Sequence, residues 1–370
     1  MKVINTGVRF DIYPDNLKSF NELPADYYVV RFSEKEGFFL EQYTEFVISD
    51  AKIYGIQPKK VEKVINTFRL FNRNLGVILS GDKGIGKSLF SRLLGRKAVE
   101  NGYPVIIVDK YEEGIGNFLD RIQQEVMVLL DEFDKVFSEK EYGAAAQTSL
   151  LSLFDGVSQG KKLFVVTCNE LKGLNDFLVN RPGRFHYHFR FDYPAEDDIR
   201  EYLSDALKTE YSPEIDSVID FSKRVALNYD CLRAIAFEIN MGQDFSSAIQ
   251  DLNIINIDEE RFRIKVLFKD GTVLINNRVL MDSFSNEMIN TSLKDFSGNY
   301  AGNVSFRPSQ MKYNSGMSEL YINVDDIALD YDDYYLDDNE CEEKAKALRA
   351  KGVNKVVVER IIGDRIHYVV

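Results

Sequence analysis

The chain has 370 residues, 45% of them hydrophobic and 28% charged, a balance that fits a globular protein of two or three domains and excludes a disordered or fibrous one. Its formal net charge of −13 argues against non-specific nucleic-acid binding over the whole surface, while leaving room for a local basic channel. Cys168, Cys231 and Cys341 lie far apart with no metal-ligand spacing, the N-terminal "MKVINTGVRFDIYP" lacks the apolar core of a secretion signal, and no apolar run is long enough to span a membrane; the expectation is a cytoplasmic protein with reduced thiols.

Residues 1–50 mix strand-like pieces, such as Tyr27–Phe32, with turn residues, and the sequence assigns them no role. "PKKVEKVINTFRLFN", residues 58–72, has its apolar residues at helical spacing. Four short aliphatic runs follow, at 77–79, 105–108, 126–130 and 163–166, separated by helical or loop segments; this alternation predicts a parallel sheet covered on both faces. His186 and His188 flank a tyrosine in a strand-like stretch and read as structural. "AEDDIREYLSDALKTEY", "SVIDFSKRVALN" and "DCLRAIAFEINMGQDFSSAIQDL" predict a group of helices. After residue 254 the pattern becomes β-rich, with a hairpin turning at Lys269-Asp270-Gly271 and strands at 303–306 and 320–324. Residues 325–343 contain many carboxylates and no Lys or Arg; they read either as a solvated acidic loop or as a docking strip for a basic partner. The end predicts a helix and then a hairpin turning at Gly363-Asp364.

The chemistry concentrates at Gly81-Asp82-Lys83-Gly84-Ile85-Gly86-Lys87-Ser88, which satisfies G-x-x-x-x-G-K-[ST] between a strand and a helix. Glycines let the backbone curl so that its N–H groups converge on phosphate oxygens, and the following helix offers the positive end of its dipole. Lys87 suits the β- and γ-phosphates of ATP, and the Ser88 hydroxyl suits Mg²⁺. A second apolar strand, "VMVLL", ends in Asp131-Glu132: the first acid suits the magnesium, the second the attacking water.

From Asn74 to Arg200 the sequence resembles the AAA clade of the AAA+ ATPases. "NLGVILSGDKGIGKS" resembles its Walker A segment (through Leu89), "VLLDEFDK" its Walker B, "QTSLLSLFDGVSQGKKLFVVTCNE" the segment ending in a sensor asparagine, here Asn169, and "LVNRPGRFHYHFRFDYP" the arginine-finger segment. The resemblance implies a three-layer αβα sandwich on a five-stranded parallel sheet, a helical lid, and here an added β-rich C-terminal domain. The corresponding division is 1–50, an ATPase subdomain at 51–194, a lid at 195–253 and the β-rich domain at 254–370. It further implies that Asn169 contacts the lytic water or γ-phosphate and that Arg181 and Arg184 reach the site of a neighbouring subunit in a homo-oligomeric, hexameric ring. Asp155 in Asp155-Gly156 falls at that boundary, Ile53-Tyr54-Gly55 where adenine contacts fall, and Arg233 where many AAA+ proteins place a second sensor. Two departures stand out: the loop lacks the clade's Pro-Pro, and an arginine at 233 is unusual in the clade proper.

Clade members commonly grip substrate with an aromatic loop after the second strand. Here "DKYEEGIGNFLDRIQQE" is short, Glu112 and Glu113 follow Tyr111, and Phe118 reads as packing on the sheet. Three functions stay open: a ring ATPase that remodels a protein or complex, which is preferred; a nucleic-acid-associated AAA+ ATPase; and a nucleotide-dependent scaffold with little hydrolysis.

Overall fold

Aliphatic runs too short to make buried helices become strands here. In the computed structural model, which describes residues 1–5, 7–8, 10–44, 54, 57–137, 147, 150–154, 160–169, 171, 174, 178, 181–254 and 260–361, β5 (Leu75–Ser80), β6 (Val105–Val108), β7 (Val126–Leu130) and β8 (Lys162–Cys168) are buried along their whole length. Both faces are covered, so alternation gives way to unbroken Val, Ile and Leu. With β3 (Tyr27–Ser33), β4 (Gly37–Gln42) and β9 (Phe185–Arg190) they form one seven-stranded sheet in the order β4-β3-β6-β7-β8-β5-β9. All neighbouring pairs are parallel except β3–β4.

The expected five-stranded sheet is therefore too small, and residues 27–42 belong to the same sheet. Tyr28 pairs with Ile106, and the buried Val29 and Val30 extend the two apolar layers beyond β6, whose outer edge is thereby hydrogen-bonded. A separate two-stranded sheet precedes it, β1 (Lys2–Asn5) with β2 (Phe10–Tyr13).

Alternate strand residues feed two cores. Val77, Leu79, Ile107, Leu129 and Val165 pack under α1 (Gln57–Leu70) and α2 (Lys87–Glu100) through Val64, Phe68, Phe90 and Leu94. Ile78, Val108, Val128 and Val166 pack under α3 (Ile115–Asp120) and α4 (Phe133–Val136) through Ile115, Leu119, Phe133 and Phe137. Gly76 is required in β5: a Cβ there would sit 2.3 Å from the Arg184 carbonyl oxygen and 2.7 Å from the Phe185 ring.

The chain divides into two compact units, Met1–Tyr193 and Pro194–Val370. In the second, the helices Glu196–Ala206, Glu214–Arg224, Tyr229–Asn240 and Phe245–Asp251 bury Leu203, Val218, Ile219, Leu232 and Ile235 together. An eight-stranded antiparallel sheet follows, built from β10 (Glu260–Phe268), β11 (Val273–Met281), β12 (Ile289–Lys294), β13 (Tyr300–Phe306), β14 (Lys312–Asn314), β15 (Glu319–Ile322), β16 (Ala328–Asp330) and β17 (Val353–Arg360) in the order β14-β15-β17-β10-β11-β12-β13-β16, with β10 and β11 forming the predicted hairpin. The helical and β-rich segments, expected as separate domains, thus share one unit.

The acidic stretch 325–343 is not simply a loop. Residues Ala328–Asp330 form β16, which pairs with β13 (Tyr300–Phe306) because Leu329 is buried between the acids. The helix Asp338–Ala350 starts with a reciprocal cap in which Asp337 accepts the Glu340 N–H and Glu340 accepts the Asp337 N–H; carboxylates in its first turn suit the positive end of the dipole. Strand β17 (Val353–Arg360) follows, and the turn expected at Gly363-Asp364 lies outside the described residues.

Glu196 ties the two parts of this unit together. Its carboxylate accepts from Tyr313 Oη (2.9 Å) and Ser318 Oγ and faces Lys223 Nζ at 2.8 Å. Burial by itself raises its pKa, but hydrogen bonds from Lys223, Ser318 and Tyr313 and the Lys223 charge outweigh it and bring the group from 4.5 to about 2. A depressed carboxyl pKa stabilises the fold above the unfolded value, and that stability disappears as pH falls from about 4.5 toward 2. Glu196→Gln is expected to destabilise this unit by on the order of 1–2 kcal/mol at pH 6, allowing for solvent screening, with the deficit shrinking between pH 4.5 and 2; urea unfolding of both proteins across that range checks it.

Candidate functional site

The glycine-rich turn continues directly from β5. Gly81, Gly84 and Gly86 have φ of 139°, 76° and 100°, a region that disfavours side chains. A Cβ on Gly81 would meet the Phe191 carbonyl oxygen at 2.3 Å and Ile85 Cδ1 at 2.5 Å, so the turn is pressed onto the residue following β9, with Ile85 buried beneath it. Gly86 caps α2 without a side-chain hydrogen bond, leaving first-turn N–H groups for an anion. Asp82, Lys83, Ser88 and Leu89 stand exposed around this turn.

Lys87 is buried, and its ammonium donates to the carbonyls of Gly81 (2.5 Å) and Asp82 (2.6 Å) and to Asn169 Oδ1 (3.0 Å). Burial pulls its pKa below the usual lysine range. Lysine and asparagine are brought together because β5 and β8 are paired in parallel with Ser80 opposite Cys168, so both strands end at one sheet edge. Cys168 is buried there, its thiol pushed up to about 12 by burial, so it is no nucleophile.

At the end of β7, Asp131 and Glu132 are held by Thr167, to which the sequence assigned nothing. Its hydroxyl donates to Asp131 Oδ1 (2.6 Å) and accepts the Glu132 N–H (2.8 Å). Asp134, also missed, accepts the Asn169 N–H at 3.0 Å. The available signal was a single hydroxyl in the otherwise apolar "LFVVTC" and a third acid in "DEFD". Glu132 has left-handed backbone angles, φ 46° and ψ 45°, unusual for a side-chain-bearing residue and costing on the order of 1–3 kcal/mol. Its half-exposed carboxylate pairs with Lys135 at 2.5 Å.

The donor set fits a nucleotide phosphate: convergent N–H groups, a buried lysine and an uncapped helix start. Among the described residues no group of three or more His, Cys, Asp or Glu is arranged to hold a metal unaided. Mg²⁺ takes one or two protein oxygens and otherwise phosphate and water, and Ser88 and Asp131 are the residues that could hold it.

Arg181 and Arg184 lie elsewhere on the same sheet. They flank a turn in which the Arg184 and Phe185 N–H groups donate to the Arg181 carbonyl, and Arg73 donates to the Gly183 carbonyl (2.8 Å). This turn enters β9, which runs parallel to β5 with Phe185 opposite Gly76 and Arg190 opposite Ser80. The arginines therefore occupy the strand-start edge and the glycine-rich turn the strand-end edge, about 15–20 Å apart by strand rise.

Residues 77–193 match the family model described as "ATPase family associated with various cellular activities (AAA)". The chain carries an AAA ATPase domain. Similar proteins include protein mac-1 of Caenorhabditis elegans (24% identical over 163 residues, 40% of this chain and 20% of mac-1) and vesicular-fusion protein SEC18 of Saccharomyces cerevisiae (27%; 33% of this chain and 19% of SEC18). Another is an "AAA ATPase forming ring-shaped complexes" of Kocuria rhizophila (27%; 35% of this chain and 28% of that protein). The matched segment thus spans only 19% to 28% of these relatives' own length.

Other anticipated residues of the AAA domain fare differently. Tyr111 stacks edge-on against Phe137 (5.5 Å) and packs on the sheet core, and Phe118 stacks on Phe38 (5.3 Å). Arg233 lies in the second unit with a side chain 73% exposed and paired with Asp230. His188 bonds Ser80 Oγ at 2.6 Å and His186 packs against Phe71, both structural as read. Tyr54 is half-buried; Ile53, Gly55, Asp155 and Gly156 lie outside the described residues. No helix among the described residues is long and apolar enough to cross a membrane.

Thr167→Val keeps the shape of β8 but removes the bridge between the two acids. ATPase turnover is expected to fall about 10- to 100-fold with fluorescent-nucleotide affinity within a few-fold of the parent. Equal losses of affinity and turnover would contradict a positioning role.

Proposed function

We propose that this protein binds ATP with Mg²⁺ and hydrolyses it as a ring, hexameric by resemblance, to remodel a protein or protein complex. The observation that carries the reading is the separation of Arg181 and Arg184 from the phosphate-binding turn of their own domain: guanidinium groups at the far sheet edge suit a neighbour's site and not their own. The ring-forming name of the Kocuria relative, and of a second one from Corynebacterium kroppenstedtii, supports the same arrangement.

In this reading the turn from Gly81 to Leu89 cradles the phosphates, with Asp82 and Lys83 at its rim, and Lys87 exchanges its present carbonyl partners for phosphate oxygens. Ser88 and Asp131 would hold magnesium, which would neutralise phosphate charge. Glu132 takes the proton of the attacking water, Asn169 orients that water or the γ-phosphate, and the neighbour's Arg181 and Arg184 stabilise the charge that grows during transfer. Arg233, 73% exposed and paired with Asp230, is the residue that the resemblance puts forward as a second sensor. The packed Tyr111 disfavours a conventional threading grip. The client is assigned to the regions outside 77–193.

Mixing two inactive variants tests this. Arg184→Ala and Glu132→Gln are each expected to lower turnover on the order of a thousandfold, whereas a mixture regains activity because some interfaces pair an intact Glu132 with an intact Arg184. No recovery in a mixture shown by sedimentation to co-assemble would place the arginine's action within its own subunit.

A further inference from the structure

The eight-stranded sheet of the second unit is packed on one face only. Phe262, Ile264, Val266, Val356 and Val358 point to the packed side, where they share a core with Leu348 of the helix Asp338–Ala350. The helical group meets the sheet on that side too, through Tyr313, which lies opposite Leu320. Residues between these point the other way. Across that other face, register carries one row straight over six strands. Lys312 lies opposite Tyr321, Tyr321 opposite Val357, Val357 opposite Lys265, Lys265 opposite Ile275, and Ile275 opposite Lys294. At about 4.8 Å per strand the row is about 24 Å long, and it contains no acid.

Flanking positions of the same face add Arg261 and Arg263 on β10, Lys355 on β17 and Arg278 in the bulge opposite Arg263. Seven cations thus stand against three strand carboxylates, Glu319, Glu359 and Asp330. Those carboxylates are already engaged. Glu359 accepts from Lys265 (2.6 Å) and Arg263 (3.3 Å), Glu319 pairs with Lys355, and Asp330 faces Arg349 at 3.7 Å. Lys294, Lys312 and Arg278 stand exposed and make no ion pair among the described residues.

An acidic protein therefore carries one basic face. With a formal charge of −13 on the whole chain, a polyanion is repelled over most of the surface and steered to this sheet. Tyr321 favours a nucleic-acid strand over an acidic protein segment. It sits in the row between Lys312 and Lys265, where phosphates can meet the lysines while a base stacks on the ring. The row lies within the sheet and not on a helix or ribbon that could enter a duplex groove, which favours a single strand.

We propose that this face binds a single-stranded nucleic acid, with phosphates on Lys265, Lys294 and Lys312 and a base on Tyr321. The proposal goes beyond the ATPase reading and does not depend on the ring. Fluorescence anisotropy tests it, using the full chain and a labelled oligothymidylate of about 20 nucleotides, enough to fill a site of roughly 4–16. Binding is expected to weaken steeply between about 50 and 200 mM salt. Lys294→Glu plus Lys312→Glu is expected to lower affinity about 10- to 100-fold and to reduce the logarithmic salt slope by about 1 to 2, with melting and fluorescent-nucleotide binding unchanged. Tyr321→Leu should lower affinity for the oligonucleotide about 5- to 10-fold and leave binding of a polyglutamate of similar charge unaltered. Absence of oligonucleotide binding, or binding that the paired lysine changes leave intact, overturns the site. Polyglutamate bound as tightly as the oligonucleotide replaces the nucleic acid with an acidic protein segment, and a duplex bound more tightly than the single strand overturns the single-strand assignment.

Discussion

Parallel pairing of β5 with β8 and β9, and of β7 with β8, is the constraint on which the rest of the first unit depends. Parallel strands start at one edge and end at the other, so whatever follows β5, β7 and β8 is delivered to a single place. That is how Lys87, Asp131, Glu132 and Asn169, spread over more than eighty positions, come to share one site. The same rule sends the residues preceding β9 to the other edge, where Arg181 and Arg184 lie. One pairing pattern thus both assembles the phosphate site and withholds the arginines from it.

Within the site, local strain and local hydrogen bonding are matched. Glu132 adopts a left-handed backbone that costs on the order of 1–3 kcal/mol, and its amide is held by the Thr167 hydroxyl, which also holds the Asp131 carboxylate. Asp134 fixes the Asn169 backbone from the α4 side. These two residues position the groups proposed to face the nucleotide and do not themselves need to touch it. The Lys87 contacts with Gly81, Asp82 and Asn169 satisfy a buried ammonium whose pKa burial lowers.

The second unit handles its acidic character differently. Glu196 keeps its charge in a partly buried place by collecting Lys223, Tyr313 and Ser318 around it. Asp337, Asp338 and Glu340 gather at the start of a helix, where the dipole and free N–H groups favour them. Carboxylates that looked like an undifferentiated loop in the sequence are thereby divided between a strand, a turn and a helix cap, with Leu329 as the apolar residue that anchors the strand.

The glycine-rich turn, the two acids after β7, Asn169 at the end of β8 and the central strands were legible because each is encoded over a few consecutive residues: glycines for positive φ, aliphatic runs for a doubly covered sheet, a lysine and serine at a helix start. The residues 27–42 that extend the sheet were not, since strand propensity in "YYVVRF" does not say which strand will accept it; burial of Val29 and Val30 beside β6 decided that. Nor were Thr167 and Asp134, whose importance lies entirely in partners about 35 positions away. Local sequence by itself determined which groups this protein has for phosphate chemistry, because those needs are local backbone and side-chain needs. Which of them meet, and which lie at the opposite end of the strands, was decided only by strand direction and register, which arise from the packing of the whole sheet.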